Sequence, residues 1–414
     1  MRMTLRIALI LLAVSVTTAS GAMNSEKDSS RKVFFDARTR QTHYAGPGRQ
    51  NLPPANVKEV LIGYFGPDKS SGPEGDDMYH AACLAIEQAN KAGGYNGLPF
   101  RLVAGWSGNR WQSGAAEVVR MAYAHKVWAI IGGIDGPSTH VAEQVVAKAR
   151  LTLLSPGSTD RTVNLVNVPW MFSCLPGDHL QAPVLAREIE SHVGEKPFLL
   201  VSSVDHDSHL FITELKKSLV QRQLAPCCHF EFKPGQKDYG ELVQKIVQMK
   251  AHALVVIAPP QESAQLISVV RKKDFKGSIF AGPCAGSRRF LEEAGRAAEG
   301  VVFPLLYRPD KRSRDFEEEF TERLGRCPDY LAAHTYDAVN LLVAAIRKAR
   351  LNRPRICDAV RELSPWQGIT GRIRWDSLGS NSRPVGLGTV RAGRVICVSM
   401  PHAPVDAKPR SSRR

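Results

Sequence analysis

Between residues 57 and 305, short apolar runs alternate with stretches of helical period. The runs lie at 60–62, 127–131, 151–154, 198–201, 254–257 and 279–281, and they are nearly free of polar residues. That is the pattern of strands buried on both faces of a parallel sheet. Between them, Met78, Ala81, Ala82, Ala85 and Ala89 share one helical face, and Gly93 and Gly94 supply its stop. Tyr239, Leu242, Val243, Ile246 and Val247 recur at i, i+3, i+4, i+7 and i+8. Such alternation predicts right-handed crossovers and doubly wound sheets. Two sheets in succession are expected, with the break at 176–178, after an irregular stretch over 159–174. A late helical region, 315–350, carries no strands. An antiparallel end follows at 371–375, 387–390 and 394–398, the last two joined by a turn at Ala392 and Gly393.

The two ends differ from this body. Arg2 and Arg6 precede an apolar run at 7–16 and small residues up to Ala22, the layout of an export signal cleaved after Ala22. An uncleaved anchor is the alternative, for which the run is short. Residues 23–56 read as a polar linker and 401–414 as a basic tail. The 414 residues carry a net charge of +15, which invites a nucleic-acid reading. A net five of those charges sit on the two ends, and the rest mostly interleave with acids, as over 314–319. No nucleic-acid partner is therefore assigned. The eight cysteines form no CxxC pair, so a zinc cage is unsupported. Most are expected to be buried small hydrophobes, and the adjacent Cys227 and Cys228 to point to opposite faces of a strand, unbonded to each other. There is no GxSxG elbow, P-loop or HExxH. Neither enzymatic activity nor a cofactor is assigned.

Ligands of doubly wound sheets bind beyond the carboxyl ends of the strands. After 127–131 come Gly132, Gly133, Ile134, Asp135, Gly136, Pro137, Ser138 and Thr139. Asp135 suits a helix cap and Pro137 a first turn. The amides of that helix start would favour a carboxylate. A plain capped turn uses the same residues, and the glycine spacing is wrong for a dinucleotide fingerprint. After 151–154, the stretch Ser155 to Asp160 offers clustered hydroxyls, Ser158 and Thr159 among them. After 198–201, Asp205, His206, Asp207 and His209 place four potential metal ligands in five residues. A metal needs three or four converging ligands with support behind them, and none is assigned. Asp207 or Ser208 is expected to cap a helix over 210–222, with Asp205 and Asp207 as ligand contacts. Gln261, after the 254–257 strand, joins the candidate contacts.

In order, these pieces resemble the periplasmic type I solute-binding proteins of ABC transporters, specifically the branched-chain amino acid-binding (Leu/Ile/Val-binding) family. Residues 60–104 run strand, Gly-Pro loop, then a long helix ending Ala89, Asn90, Lys91, Ala92, Gly93, Gly94, and Gly97 to Phe100 lead into the next strand. Ile130 to Gly132, Ser138 with Thr139, and Leu154 to Thr159 follow in family order, then Tyr336 to Ala338 and Gly368 to Gly371 before Trp375 and Asp376. The likeness covers residues 57–400. It implies an α/β fold of two Rossmann-like lobes with parallel sheets, joined by three hinge crossovers. Lobe 1 would take 57–176 and 306–365, and lobe 2 would take 177–305 and 366–400. It also implies that a small polar ligand (an amino acid, amide or related compound) is trapped in the interlobe cleft by hinge closure. A membrane permease of an ABC importer would then receive it, outside the cytoplasm. No lipid-bearing cysteine is expected, since Cys83 is the first. A sensor module built on the same fold is the alternative.

Carried over residue by residue, the family's carboxylate-holding contacts fall on Gly136 and on Ser158 and Thr159. A serine is usual at the position of Gly136, so only the backbone amide can serve. The acid that pairs a ligand ammonium is expected after Gly282 and Pro283, where Cys284 stands. An aromatic contact expected near 208 is Ser208, and another is replaced by the loop 72–75 with Glu74. An ammonium is too costly to bury unpaired. Either Asp205, Asp207 or Glu74 takes that role, or the ligand is not an α-amino acid, which is the preferred reading.

Overall fold

A computed structural model describes residues 44–67, 73–107 and 113–400. The expected signal, most of the expected linker and the basic tail lie outside them. The chain first lays down β1 (Val60–Phe65), α1 (Pro73–Lys91), β2 (Phe100–Gly105), α2 (Ala115–Val119), β3 (Ala129–Gly132), α3 (Gly136–Ala149), β4 (Thr152–Ser155), α4 (Thr162–Leu165) and β5 (Met171–Pro176). Next come α5 (Asp178–Val193), β6 (Phe198–Ser203), α6 (His206–Val220), β7 (Cys228–Phe232), α7 (Gly240–Gln248), β8 (Ala253–Ile257), α8 (Pro260–Lys272), β9 (Ser278–Ala281), α9 (Arg288–Ala294) and β10 (Val302–Leu305). The chain ends with α10 (Arg314–Leu324), α11 (Tyr330–Ala349), α12 (Arg353–Glu362), β11 (Trp366–Gly368), β12 (Gly371–Ile373), β13 (Ser380–Asn381), β14 (Gly386–Arg391) and β15 (Arg394–Ser399).

One sheet has the order β13-β5-β4-β3-β1-β2, and every pair in it is parallel. The other has the order β15-β14-β10-β9-β8-β6-β7 and is antiparallel only where β14 and β15 join it. β11 and β12 make a separate hairpin. This is the expected doubly wound α/β architecture. The chain passes between the sheets three times: after β5, after β10, and between β13 and β14. The last passage lies later than the expected boundary at 366, because β13 still pairs with β5.

β3, β4, β6 and β8 are buried at every residue. Helices cover both faces of each sheet, so these strands show continuous apolar runs rather than alternation. The face of Met78, Ala81, Ala82, Ala85 and Ala89 is buried, and α1 packs on α11. Gly94 has φ +60°, and a Cβ there would stand 2.2 Å from the carbonyl oxygen of Leu98, so glycine is required to end the helix. β5 was not legible in the sequence because Ser173, next to Cys174, interrupts its apolar run. Both are buried, and Ser173 Oγ donates to Asn164 Oδ1 at 2.7 Å.

Residues 44–51, expected as linker, dock on the first lobe. Tyr44 packs on Trp170 with ring centroids 5.0 Å apart, and Arg49 pairs with Asp358 at 2.6 Å. Asn352 Nδ2 donates to the carbonyls of Gly48 and Asn51 at 2.9 and 3.1 Å. Of the eight cysteines only Cys174 and Cys357 are buried, so most are not the core residues expected. Cys228 and Cys397 sit on β7 and β15, the edges of the second sheet, where cover is incomplete. Among the described residues no helix is long and apolar enough to cross a membrane.

Candidate functional site

Strand order reverses between β1 and β3 in the first sheet and between β6 and β8 in the second. A crevice opens beyond the carboxyl ends of the strands at such a reversal. The segments that follow β3 and β6 meet there, across the two lobes.

Each segment first satisfies its own helix. Asp135 caps α3 by accepting from the Ser138 amide at 2.9 Å, and Ser138 Oγ accepts in return from the Asp135 amide at 3.3 Å. Thr139 Oγ1 donates to the Asp135 carbonyl at 2.7 Å. Ser138 and Thr139, both expected as ligand contacts, are fully buried, and their hydroxyls bond back to Asp135. On the other side, Asp205 caps α6, accepting from the Ser208 amide at 3.1 Å. The cap expected from Asp207 or Ser208 moves to Asp205 because the helix begins at His206 rather than at 210. Ser208 is buried behind it, and the second carboxylate oxygen of Asp205 is buried with no partner.

Asp207, not needed by its own helix, reaches across the cleft. Its two oxygens accept from the Gly136 amide at 3.1 and 3.2 Å, capping α3 of the opposite lobe. A protein carboxylate thus holds the amide that the family resemblance assigned to a ligand carboxylate. Burial, then the charge of Asp135, pushes Asp207 up to about 7. Beside it, Asp160 is buried and touched from both lobes: His206 Nε2 lies 2.9 Å and His140 Nε2 3.2 Å from its Oδ2. The Thr162 amide and hydroxyl both donate to Asp160 Oδ1 at 2.6 Å. Burial alone would raise this carboxyl, but the bonds from His140, Thr162 and His206 hold it down at about 2. His140 is raised to about 9, first by its bond to Asp160 and then by Glu143. The ligand atoms of His140, Asp160 and His206 all lie within 4.8 Å of one another, a set that can hold a metal ion.

Gly136 makes the room for this cluster. A Cβ at that position would stand 2.4 Å from Asp207 Oδ1, 2.6 Å from Asp160 Oδ2 and 2.9 Å from His206 Cδ2. The departure from the family's serine is therefore tied to the side chains around it.

Ser158 Oγ accepts from the Asp160 amide at 3.2 Å, and the Thr159 carbonyl from the Asp178 amide at 3.0 Å. Both hold neighbouring acids in place. Asp178 is 2% exposed with Oδ1 unpartnered, and burial pushes its carboxyl far above the usual range. Gln261 and Cys284 are not brought to this cluster. Gln261 accepts from Arg289, and Cys284 Sγ lies 3.1 Å from the Ala258 carbonyl, all within the second lobe. Glu74 is on the first turn of α1, and its side chain is outside the described residues. Sequence reading missed His140, Asp160 and Asp178, and saw His206 only among four neighbouring candidates. The available signal was the acid directly after Ser158 and Thr159. A groove of about 570 Å³ lined by Gln88, Tyr336, Arg347 and Trp366 lies along α1 and α11, and none of the expected contacts lines it.

A profile of the family described as periplasmic binding protein matches residues 59–394. The chain is 24% identical over 332 residues to Leu/Ile/Val-binding protein homolog 1 of Brucella abortus (strain 2308), covering 79% of this chain and 88% of that protein. It is 23% identical over 329 residues to an amino acid binding protein of Pseudomonas aeruginosa, covering 78% and 87%. Its fold is similar to that of the branched-chain amino acid transporter substrate binding protein of Streptococcus pneumoniae in complex with isoleucine, with TM-score 0.75, 19% identity and coverage of 82% and 100%. A leucine binding protein of Thermotoga maritima gives TM-score 0.74, 20% identity and coverage of 83% and 98%.

Proposed function

The chain belongs to the periplasmic binding protein family, and from that premise we propose that it captures a small polar solute between its lobes and delivers it to the membrane permease of an ABC importer. The reading rests on one observation above the others: the helix starts of the two lobes face each other across the cleft, the Gly136 amide 3.1 Å from Asp207. Two lobes joined by three passages of chain can open by hinge motion, and contacts made to both lobes at once stabilise the closed form. No bond is made or broken. The family's named relatives bind amino acids, and this cleft argues for a different preference. A solute carboxylate would have to displace Asp207 from Gly136, whereas Asp207 and the unpartnered oxygens of Asp178 and Asp205 suit a solute rich in donors or positive charge. Amides and related compounds fit that description better than leucine, isoleucine or valine.

A thermal-shift panel of amino acids, amides, ureas and short carboxylates tests the reading. A solute at 100 times its dissociation constant adds about 2.7 kcal/mol to stability. The largest shift is expected from a solute without an α-carboxylate. If leucine, isoleucine or valine gives it instead, the preference is wrong; if no solute shifts the midpoint, the receptor role itself is.

A further inference from the structure

We propose that His140, Asp160 and His206 form a binding site for a first-row divalent cation of the zinc class, built across the cleft with one coordination position left open for the solute. The ion would be held by His140 Nε2, Asp160 Oδ2 and His206 Nε2. Zinc takes histidine nitrogens at about 2.0–2.1 Å and carboxylate oxygens at about 2.0–2.2 Å in a tetrahedron, which sets neighbouring donors ~3.3 Å apart. The two nitrogens already stand 3.2 and 2.9 Å from the Asp160 oxygen, and the three donors lie within 4.8 Å of one another.

Support behind the donors is in place. Glu143 Oε2 lies 3.4 Å from His140 Nδ1, on the far side of the ring from the proposed ion, the carboxylate–histidine arrangement that orients metal ligands. Glu143 is buried, and its other oxygen has no partner. Thr162 anchors the remaining oxygen of Asp160. Access exists through His206, whose side chain is 41% exposed. Gly136 supplies an independent sign, since any side chain there would drive into Asp160 Oδ2 and His206. Imidazole donors favour zinc, copper and nickel over the hard cations. A cation here would also balance the carboxylates gathered in the cleft. The proposal rests on the receptor reading only in giving the open position to the solute.

Calorimetric titration of the chelator-stripped full chain with zinc chloride tests the site. One equivalent is expected to bind at micromolar affinity or tighter. His206→Ala, at the exposed donor, should lower affinity at least 100-fold, and Glu143→Gln by 10- to 100-fold. Unchanged circular dichroism establishes that each variant is folded, and His206→Asn provides a second variant at that position. Cobalt substitution should give a visible band of tetrahedral intensity that His206→Ala abolishes. Absence of binding, or binding that survives His206→Ala undiminished, overturns the site. The solute panel is run with and without zinc. Solute binding in a protein that does not take zinc overturns the metal site and leaves the receptor reading standing. Zinc binding without any solute response does the reverse.

Discussion

Gly136→Ala separates folding of the lobes from their approach. Its backbone lies outside the left-handed region, and alanine is a better helix former than glycine, so α3 itself loses nothing. The new Cβ, however, would fall 2.4 Å from Asp207 Oδ1 and 2.9 Å from His206 Cδ2, both on the opposite lobe. Those two side chains must give way, by rotating aside or by moving off with their lobe, and either route breaks the contact across the cleft. Asp160 Oδ2 stands 2.6 Å away in the same lobe, on a carboxylate that Thr162 holds through Oδ1, and keeps a smaller local cost. Opening forfeits the hydrogen bond from Gly136 to a carboxylate, worth about 1.5–3 kcal/mol. The contact of half-exposed His206 with Asp160 adds roughly 0.2–1 kcal/mol. The closed arrangement should therefore lose about 2–4 kcal/mol, a roughly 30- to 1,000-fold shift in the open–closed balance. Small-angle scattering should report a larger radius of gyration, and hydrogen exchange over the peptide spanning residue 136 should lose protection. Adding Asp207→Ala to the variant removes the nearest clash and should restore part of the closure, a coupling that a double-mutant cycle measures. A Gly136→Ala protein as compact and as protected as the parent would refute the reasoning.

Three further outcomes follow from the same geometry. Asp329, buried at the cap of α11, is pushed up to about 6 from its ordinary 3.8, chiefly by burial. The folded state disfavours the ionised form, so stability should fall by about 3 kcal/mol as pH rises from 3.8 through about 6 and level off above. Asp329→Asn, which keeps an acceptor for the cap, should lack that decline; equal pH profiles in urea denaturation would count against it. Asp77 is fully buried and takes Arg288 Nε at 2.6 Å and Arg326 Nη2 at 2.6 Å, tying α1 to the second lobe and to the approach to α11. Asp77→Asn should cost about 1–3 kcal/mol, because Arg288 and Arg326 lose a charged partner but keep Glu292 and Asp76, and a urea midpoint unchanged from the parent would contradict it. Arg383, beside the third passage between lobes, donates to the carbonyls of Thr370 and Leu306 and lies 3.1 Å from His334 Nε2. Arg383→Ala leaves two carbonyls without this donor and should lower stability by about 2–4 kcal/mol, checked by thermal denaturation.

The strands at 127–131, 198–201 and 254–257 were legible because a strand covered on both faces must be apolar throughout, and that demand is written locally. The α1 stripe was legible for the same reason at helical period. β5 was not, since its Ser173 is satisfied by Asn164, a partner that local pattern does not display. The docking of Tyr44 on Trp170 was hidden likewise, behind glycines and prolines that read as linker.

The sequence by itself determined a doubly wound α/β chain with loops of interest after 131, 154 and 201, because periodicity and turn chemistry act over neighbouring residues. Only the tertiary structure decided which side chains in those loops are free. Ser138 and Thr139 look unengaged in the string, yet both hydroxyls bond back to Asp135. Asp205 and Asp207 look interchangeable, yet one caps its own helix and the other caps its neighbour's across the cleft. His140, Asp160 and His206 lie on two helices and a loop from two lobes, and no spacing rule joins them. Convergence of donors, burial of charge and the need for Gly136 are properties of three-dimensional packing, so they appear only once the sheets stand side by side.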